Sequence, residues 1–343
     1  MANNSPFIIP IFLPQLGCKQ KCFYCDQGII TGHGIDFPTP EGISKIIEEA
    51  LPFINKGTRK RVCELAFYGG NFTGLDKELK EAYLLKAKKW VDKGYIDSIR
   101  VSTRPDYIDY KEASYLKKMG VAVVEIGVPS MVDKVLIASG RGHSAKTAKE
   151  AAFNIKKAYL SLVIQTMIGL PSESLSDALF TAREVISLKP DGIRIYPVVV
   201  LKGTRLAKLY NEGKFLPLSY NQTVRWLLRI LPLYKKAKIK ILRIGLEGIE
   251  KISKSGGVIA GVTDPSLRQK VESILMFKKA KREFSKLNPK GKVEVKLFPK
   301  DISNFVGQKK KNIKRLEKIF PISELKIKGD ERVKQGEIEV DFL

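Results

Sequence analysis

Cysteine is scarce in this chain, with four in 343 residues, and three of the four fall within eight consecutive positions. Histidine is scarcer still: His33 and His143 are the only two. A closed four-ligand zinc site is disfavoured, because no CxxC or HxxxH partner follows the clustered cysteines. A disulfide is disfavoured because no secretory pattern marks an oxidising compartment. Long apolar runs are missing too. No stretch approaches the roughly 20 apolar residues that span a bilayer, and Pro6 to Leu16 is broken by Pro10 and Pro14 without a basic leader. No membrane partner is expected, and a cytoplasmic protein is. Acid is also short: 36 aspartates and glutamates against 61 lysines and arginines leave a formal charge of +25. Such an excess favours polyanionic partners. A lysine-rich thermophile composition would raise glutamate as well, so it explains the lysines better than the imbalance.

What the chain does have is Cys18-Lys19-Gln20-Lys21-Cys22-Phe23-Tyr24-Cys25. Three thiolates close in sequence suit an iron-sulfur cluster, for which thiolate is the preferred soft ligand. Three ligands leave one iron of a four-iron cluster open to a small molecule. Zinc and unrelated thiols stay open as alternatives. Cys63 lies apart in an apolar run, where a lone cysteine is usually a small buried hydrophobe.

Short β-rich runs (Phe7 to Leu13, Cys63 to Tyr68, Ile99 to Thr103, Val121 to Val128, Leu162 to Ile168, Ile193 to Val200) alternate with amphipathic helical segments. The order predicts an α/β fold, a partial (β/α)6 TIM-like barrel over residues 1–246 with a parallel sheet covered on both faces. Lys238 to Leu246 reads as one more strand. Single cores stop growing near roughly 250 to 300 residues, so a second domain is expected: a helical connector over 247–288, then a small basic α+β domain over 289–343. Chemistry in such barrels sits at the C-terminal strand ends, and the cysteine loop follows the first strand.

The other strand ends point to the same mouth. Gly69-Gly70-Asn71 follows the second strand, and glycines let backbone approach a ligand closely. Ser102-Thr103-Arg104 follows the third. Glu125 sits in an apolar strand, where a carboxylate needs a partner; ribose hydroxyls, Arg141 or a structural ion pair would each serve. Gln165 precedes Met167-Ile168-Gly169-Leu170-Pro171, a tight turn that could pack on an adenine ring.

The run of Cx3CxxC, YGGNFTG, STRPDYID, VEIGVPS, RGHS, MIGLPSE and YPVVVLKGTRLAKLYNEGKF resembles radical S-adenosylmethionine (SAM) enzymes of the Elongator catalytic-subunit group, and more distantly oxygen-independent coproporphyrinogen oxidases. The resemblance spans roughly residues 6 to 245. It implies that Cys18, Cys22 and Cys25 bind a [4Fe-4S] cluster and that Gly69, Gly70 and Asn71 hold the methionine amino group of SAM. It also implies that Glu125, Gln165 and Arg141 contact its ribose and carboxylate end, with Ser102 at the rim and the turn at Gly169 against adenine. Elongator subunits have a longer interval between their first two cysteines and carry an acetyltransferase domain, so acetyl-coenzyme A chemistry is not carried over. Ser102 and Pro129 stand where relatives have glutamate and glutamine, and those changes fall in the substrate pocket.

The C-terminal order strand, helix, turn, helix, strand, strand resembles the core of a KH domain, whose GxxG loop grips a nucleic-acid backbone. Here the loop is Gly307-Gln308-Lys309-Lys310, with Lys311 and Lys314 following. The expected function is radical SAM chemistry on RNA, tRNA above all, fed by a cytoplasmic electron donor. The alternatives are a porphyrinogen-like small substrate, or a non-catalytic iron-sulfur protein that binds nucleic acid.

Overall fold

The computed structural model describes residues 6–32, 36–54 and 62–343; His33 lies outside them. Strands β1 (Phe7–Phe12), β2 (Cys63–Tyr68), β3 (Ser98–Thr103), β4 (Val121–Gly127), β5 (Ser161–Ile168) and β6 (Gly192–Pro197) pair in chain order, all parallel. After Val198 the chain leaves this sheet. The single strand expected to reach Val200 is therefore two, because Pro197 has no N–H for a further ladder bond. β7 (Val199–Leu201) pairs elsewhere, and β8 (Lys240–Ile244) then adds to β6 as the seventh parallel strand. The curled sheet is a half-barrel with β1 and β8 as its edges.

Helices α1 (Gln27–Thr31), α2 (Ile43–Ile54), α3 (Lys77–Asp92), α4 (Tyr110–Lys118), α5 (Asp133–Ala138), α6 (Ala145–Lys157), α7 (Leu175–Ser187), α8 (Arg205–Asn211), α9 (Tyr220–Lys236) and α10 (Ile249–Lys254) lie between and after the strands. Their phase follows the sequence pattern. In α6, Ala148, Ala151, Ala152 and Ile155 recur at helical spacing and are buried. Ser174 and Asp177 form a reciprocal capping box that starts α7, as Ser219 and Gln222 do for α9.

The chain divides into two compact units, one ending at Asp264 and one running from Pro265 to Leu343. The stretch 247–288, expected as a helical connector, is split between them. β9 (Val258–Gly261) pairs antiparallel with β7, and Ile249 and Ile252 pack with Val199 and Leu201, so this part completes the first unit. α11 (Leu267–Leu287) instead supplies Met276, Phe277, Ala280 and Phe284 to the core of the second. That unit places β10 (Gly291–Leu297) between β11 (Ile322–Gly329), parallel, and β12 (Ile338–Phe342), antiparallel, with α12 (Ile302–Val306) and α13 (Lys311–Ile319) in the β10–β11 crossover.

Candidate functional site

The loop after β1 is pinned by backbone. Leu13 N–H donates to Tyr68 O (2.7 Å), Gln15 N–H to Gly69 O (2.8 Å) and Asn71 N–H to Leu16 O (2.9 Å). A side chain at Gly70 would run into the carbonyls of Leu13 and Leu16, so this glycine admits the loop itself. Further along, Phe23 N–H donates to Ser139 O (3.1 Å), Phe23 O accepts from Leu206 N–H (2.7 Å), and Arg205 stacks 3.9 Å over the Phe23 ring. Cys18 is exposed, Cys22 buried and Cys25 half-buried, and all three line one cavity of about 1220 Å³. Burial, then Cys22 and Cys18, push the Cys25 thiol up to about 12; burial and Cys22 raise Cys18 as well. Thiols that feel one another load iron with release of protons. Among the described residues no three histidine, cysteine, aspartate or glutamate side chains close on a single metal-ion position. A cluster asks for something different, one thiolate on each of three irons, and three thiols on one pinned loop meet that donor requirement.

The cavity runs the length of the sheet, from Gly69, Gly70 and Ser102 past Gln165 and Met167 to Lys240. It exceeds the roughly 300–1,000 Å³ of a single-ligand pocket, which leaves room for a cofactor and a substrate group together. Its wall carries a charge network from several strands. Arg100 donates to Glu64 Oε2 through Nε (2.7 Å) and Nη2 (2.5 Å), and through Nη1 to Glu125 Oε1 (2.7 Å). Arg194 donates to Glu125 through Nε (3.0 Å) and Nη2 (3.2 Å). Gln165 Nε2 (2.8 Å) and Tyr68 OH (3.3 Å) donate to the same carboxylate. Burial alone would push the Glu125 carboxyl up, but Arg194 and Arg100 outweigh it and hold the group below the usual range.

Comparison with known proteins decides the family. The model of the radical SAM superfamily matches residues 12–185, and that of the radical SAM C-terminal domain matches 190–276. The chain belongs to the radical SAM superfamily. Its enzymes use a [4Fe-4S] cluster and SAM. The chain is 31% identical over 242 residues to a tRNA uridine(34) acetyltransferase of Methanocaldococcus infernus (60% of this chain, 45% of that protein). It is 28% identical over 190 residues to Elongator complex protein 3 of Saccharomyces cerevisiae (50% and 34%). It thus spans less than two thirds of either relative. The solved structure of the M. infernus Elp3 lacking its N-terminal segment superposes with a TM-score of 0.63 at 20% identity (80% of this chain, 63% of that one) and shares the fold.

Within this radical SAM half-barrel the residues singled out in sequence separate into two sets. Gly69, Gly70, Ser102, Glu125, Arg141 and Gln165 line the cavity with the three cysteines. Asn71 and Gly169 do not. Asn71 is fully buried, giving its Nδ2 to Gly17 O (2.9 Å) while its Oδ1 accepts from Thr103 Oγ1 (2.6 Å) and Arg104 N–H (3.1 Å). Its amide ties the cysteine loop to the end of β3. Gly169 N–H donates to Glu173 Oε2 (2.7 Å), and a side chain at Gly169 would run into Leu218. Glu125 lines the wall, yet its oxygens take five donors from four side chains, so the expected ribose contact meets a carboxylate already saturated. Sequence reading missed Glu64, Tyr68, Arg100 and Arg194, although each sits at an alternate position of its strand, the spacing of one sheet face. Gly307, Lys309, Lys310, Lys311 and Lys314 belong to the other unit.

Glu173 anchors the turn after β5: its Oε2 accepts from Gly169 and Leu170 N–H, while Oε1 has no partner among the described residues. Burial outweighs those two bonds and pushes the carboxyl up to about 8. The native state therefore keeps a proton that the unfolded chain releases near an ordinary glutamate pKa of roughly 4.3. Stability from this group is full below that value and falls as pH rises towards about 8. The unfolding temperature of wild type should drop more between pH 5 and pH 8 than that of Glu173→Gln. Parallel pH profiles would show that the carboxyl is ionised throughout.

Proposed function

We propose that Cys18, Cys22 and Cys25 hold the cluster, that SAM occupies the cavity beside them, and that the enzyme modifies RNA of the tRNA class. One observation carries the reading: in a radical SAM chain, three thiols on one pinned loop face a cavity large enough for cofactor and substrate. When reduced, cluster and SAM together supply methionine and a 5′-deoxyadenosyl radical that abstracts hydrogen from the substrate. The chain's part is to bind, orient and exclude water. Gly69, Gly70 and Ser102 offer backbone and hydroxyl groups near the thiols, while Ile8, Phe12, Val163 and Met167 make the wall apolar.

RNA is favoured by the formal charge of +25, by relatives described as tRNA uridine(34) acetyltransferases, and by the second unit. There Gly307 takes φ 70°, where an added side chain would press on buried Asn312, and Lys309 and Lys310 adopt left-handed backbone before α13. Lys309, Lys310, Lys311 and Lys314 are all exposed. This KH-like loop grips phosphates in our reading. No helix among the described residues is long and apolar enough to cross a membrane, and a cytoplasmic site with a soluble electron donor fits a tRNA substrate.

Reversing Lys309, Lys310 and Lys311 to glutamate should weaken RNA binding by a similar factor across unrelated sequences, since phosphate contacts position without specifying. The slope of log affinity against log salt should fall by about 2 to 3, near 0.7 to 0.9 for each phosphate that is no longer neutralised. Equal slopes in wild type and variant would remove the second unit from the interface. Mass spectrometry of tRNA nucleosides from cells lacking the gene tests the substrate: an unchanged nucleoside profile would contradict it.

A further inference from the structure

We propose that Arg141 is a positioning residue for Cys22: its guanidinium, held by Gly127 and His143, donates to the Cys22 sulfur and raises the reduction potential of the cluster this cysteine helps to hold. The inference rests on reading the three cysteines as cluster ligands. Arg141 Nη1 lies 3.2 Å from Cys22 Sγ, Nη2 lies 2.7 Å from Gly127 O, and Nε lies 2.9 Å from His143 Nε2. Three edges of one rigid fork are thus fixed at once. His143 Nδ1 stands 3.2 Å from Ser144 O; with its proton there, Nε2 is left as the acceptor that Arg141 requires. Burial, then Arg141 itself, push the imidazole down to about 4, so the neutral acceptor form persists at neutral pH. A Cβ at Gly127 would come within 2.7 Å of Nη2, so the glycine makes room for the guanidinium. A second guanidinium stands behind the first. Arg104 is fixed by Asp106 (3.0 and 2.9 Å), donates to Arg141 O (2.9 Å), and brings Nη1 to 4.0 Å from the same sulfur.

A donor and a positive charge at a ligand sulfur stabilise the state with one more electron, and hydrogen bonds to ligand sulfurs are a main determinant of cluster potential. The role differs from the SAM carboxylate contact that sequence resemblance implies for Arg141, and the two are separable. The test is an anaerobic redox titration of the reconstituted protein without SAM, followed by electron paramagnetic resonance, with SAM affinity measured in parallel. In Arg141→Gln the ratio of reduced to oxidised cluster at a fixed potential should fall about tenfold, a midpoint about 59 mV more negative for one electron, with iron content unchanged. His143→Leu, which leaves the cysteine loop and Arg141 in the chain, should shift the midpoint the same way by less and carries the test if Arg141→Gln does not fold. Unchanged midpoints with full iron, whether or not SAM affinity falls, overturn the proposal. Failure of the wild type to take up iron would overturn the cluster reading instead.

Discussion

Cys18→Ala, Cys22→Ala and Cys25→Ala should each lose nearly all iron on anaerobic reconstitution, against about four irons per chain in wild type, while Cys63→Ala keeps it. The three loop thiols line one cavity, and none has a disulfide or a covalent partner that competes for it. Loss of one ligand leaves a second iron open, and with two thiolates the cluster is exposed to exchange and oxidation. Cys63 is fully buried in β2, its N–H donating to Asp97 Oδ2 (2.7 Å), and does not line the cavity. Iron and sulfide analysis of the four variants reads the difference directly. Zinc in place of iron in the wild type would contradict the assignment.

Glu125→Ala should unfold at a temperature lower by on the order of 10 °C. The substitution leaves buried Arg100 with Glu64 as its one remaining carboxylate and half-buried Arg194 with none among the described residues, and breaking a buried pair by removing one partner costs about 3 to 5 kcal/mol. In a unit of this size each kcal/mol moves the midpoint by about 2 to 4 °C. Glu125→Gln, which keeps the shape and removes the charge, should fall between. The sequence alone favours another outcome, a loss of SAM affinity of roughly 10- to 100-fold with iron retained, from one broken hydrogen bond to a charged group. Calorimetry beside equilibrium SAM binding separates the two: an unchanged midpoint with weakened binding would restore the ribose contact and remove the network from the account.

That contrast shows what can be read from the chain alone. Runs such as Cys63 to Tyr68 and Leu162 to Ile168 announce buried parallel strands, and the cysteine spacing announces its loop. Both signals are local. The partners of Glu125 are not: Arg100 lies 25 positions away and Arg194 lies 69 away, brought together only by the register of the sheet. Asn71 illustrates a second limit. Spacing places an amide beside the cysteine loop, but whether it faces the cavity or Gly17 depends on how closely two backbones approach, which the flanking glycines set. The split of 247–288 is a third case: α11 carries its apolar stripe for the second unit, and only packing reveals which sheet that stripe meets. His143 gives no sequence signal of its role, because two histidines cannot close a zinc site, although one suffices to orient an arginine.

The measurement that bears most directly on the whole account is the fate of SAM itself. Reconstituted, reduced wild-type protein incubated anaerobically with SAM should yield 5′-deoxyadenosine and methionine in equal amounts, and Cys22→Ala under the same conditions should yield neither. Intact SAM in the presence of a fully loaded, reduced wild-type cluster would contradict it.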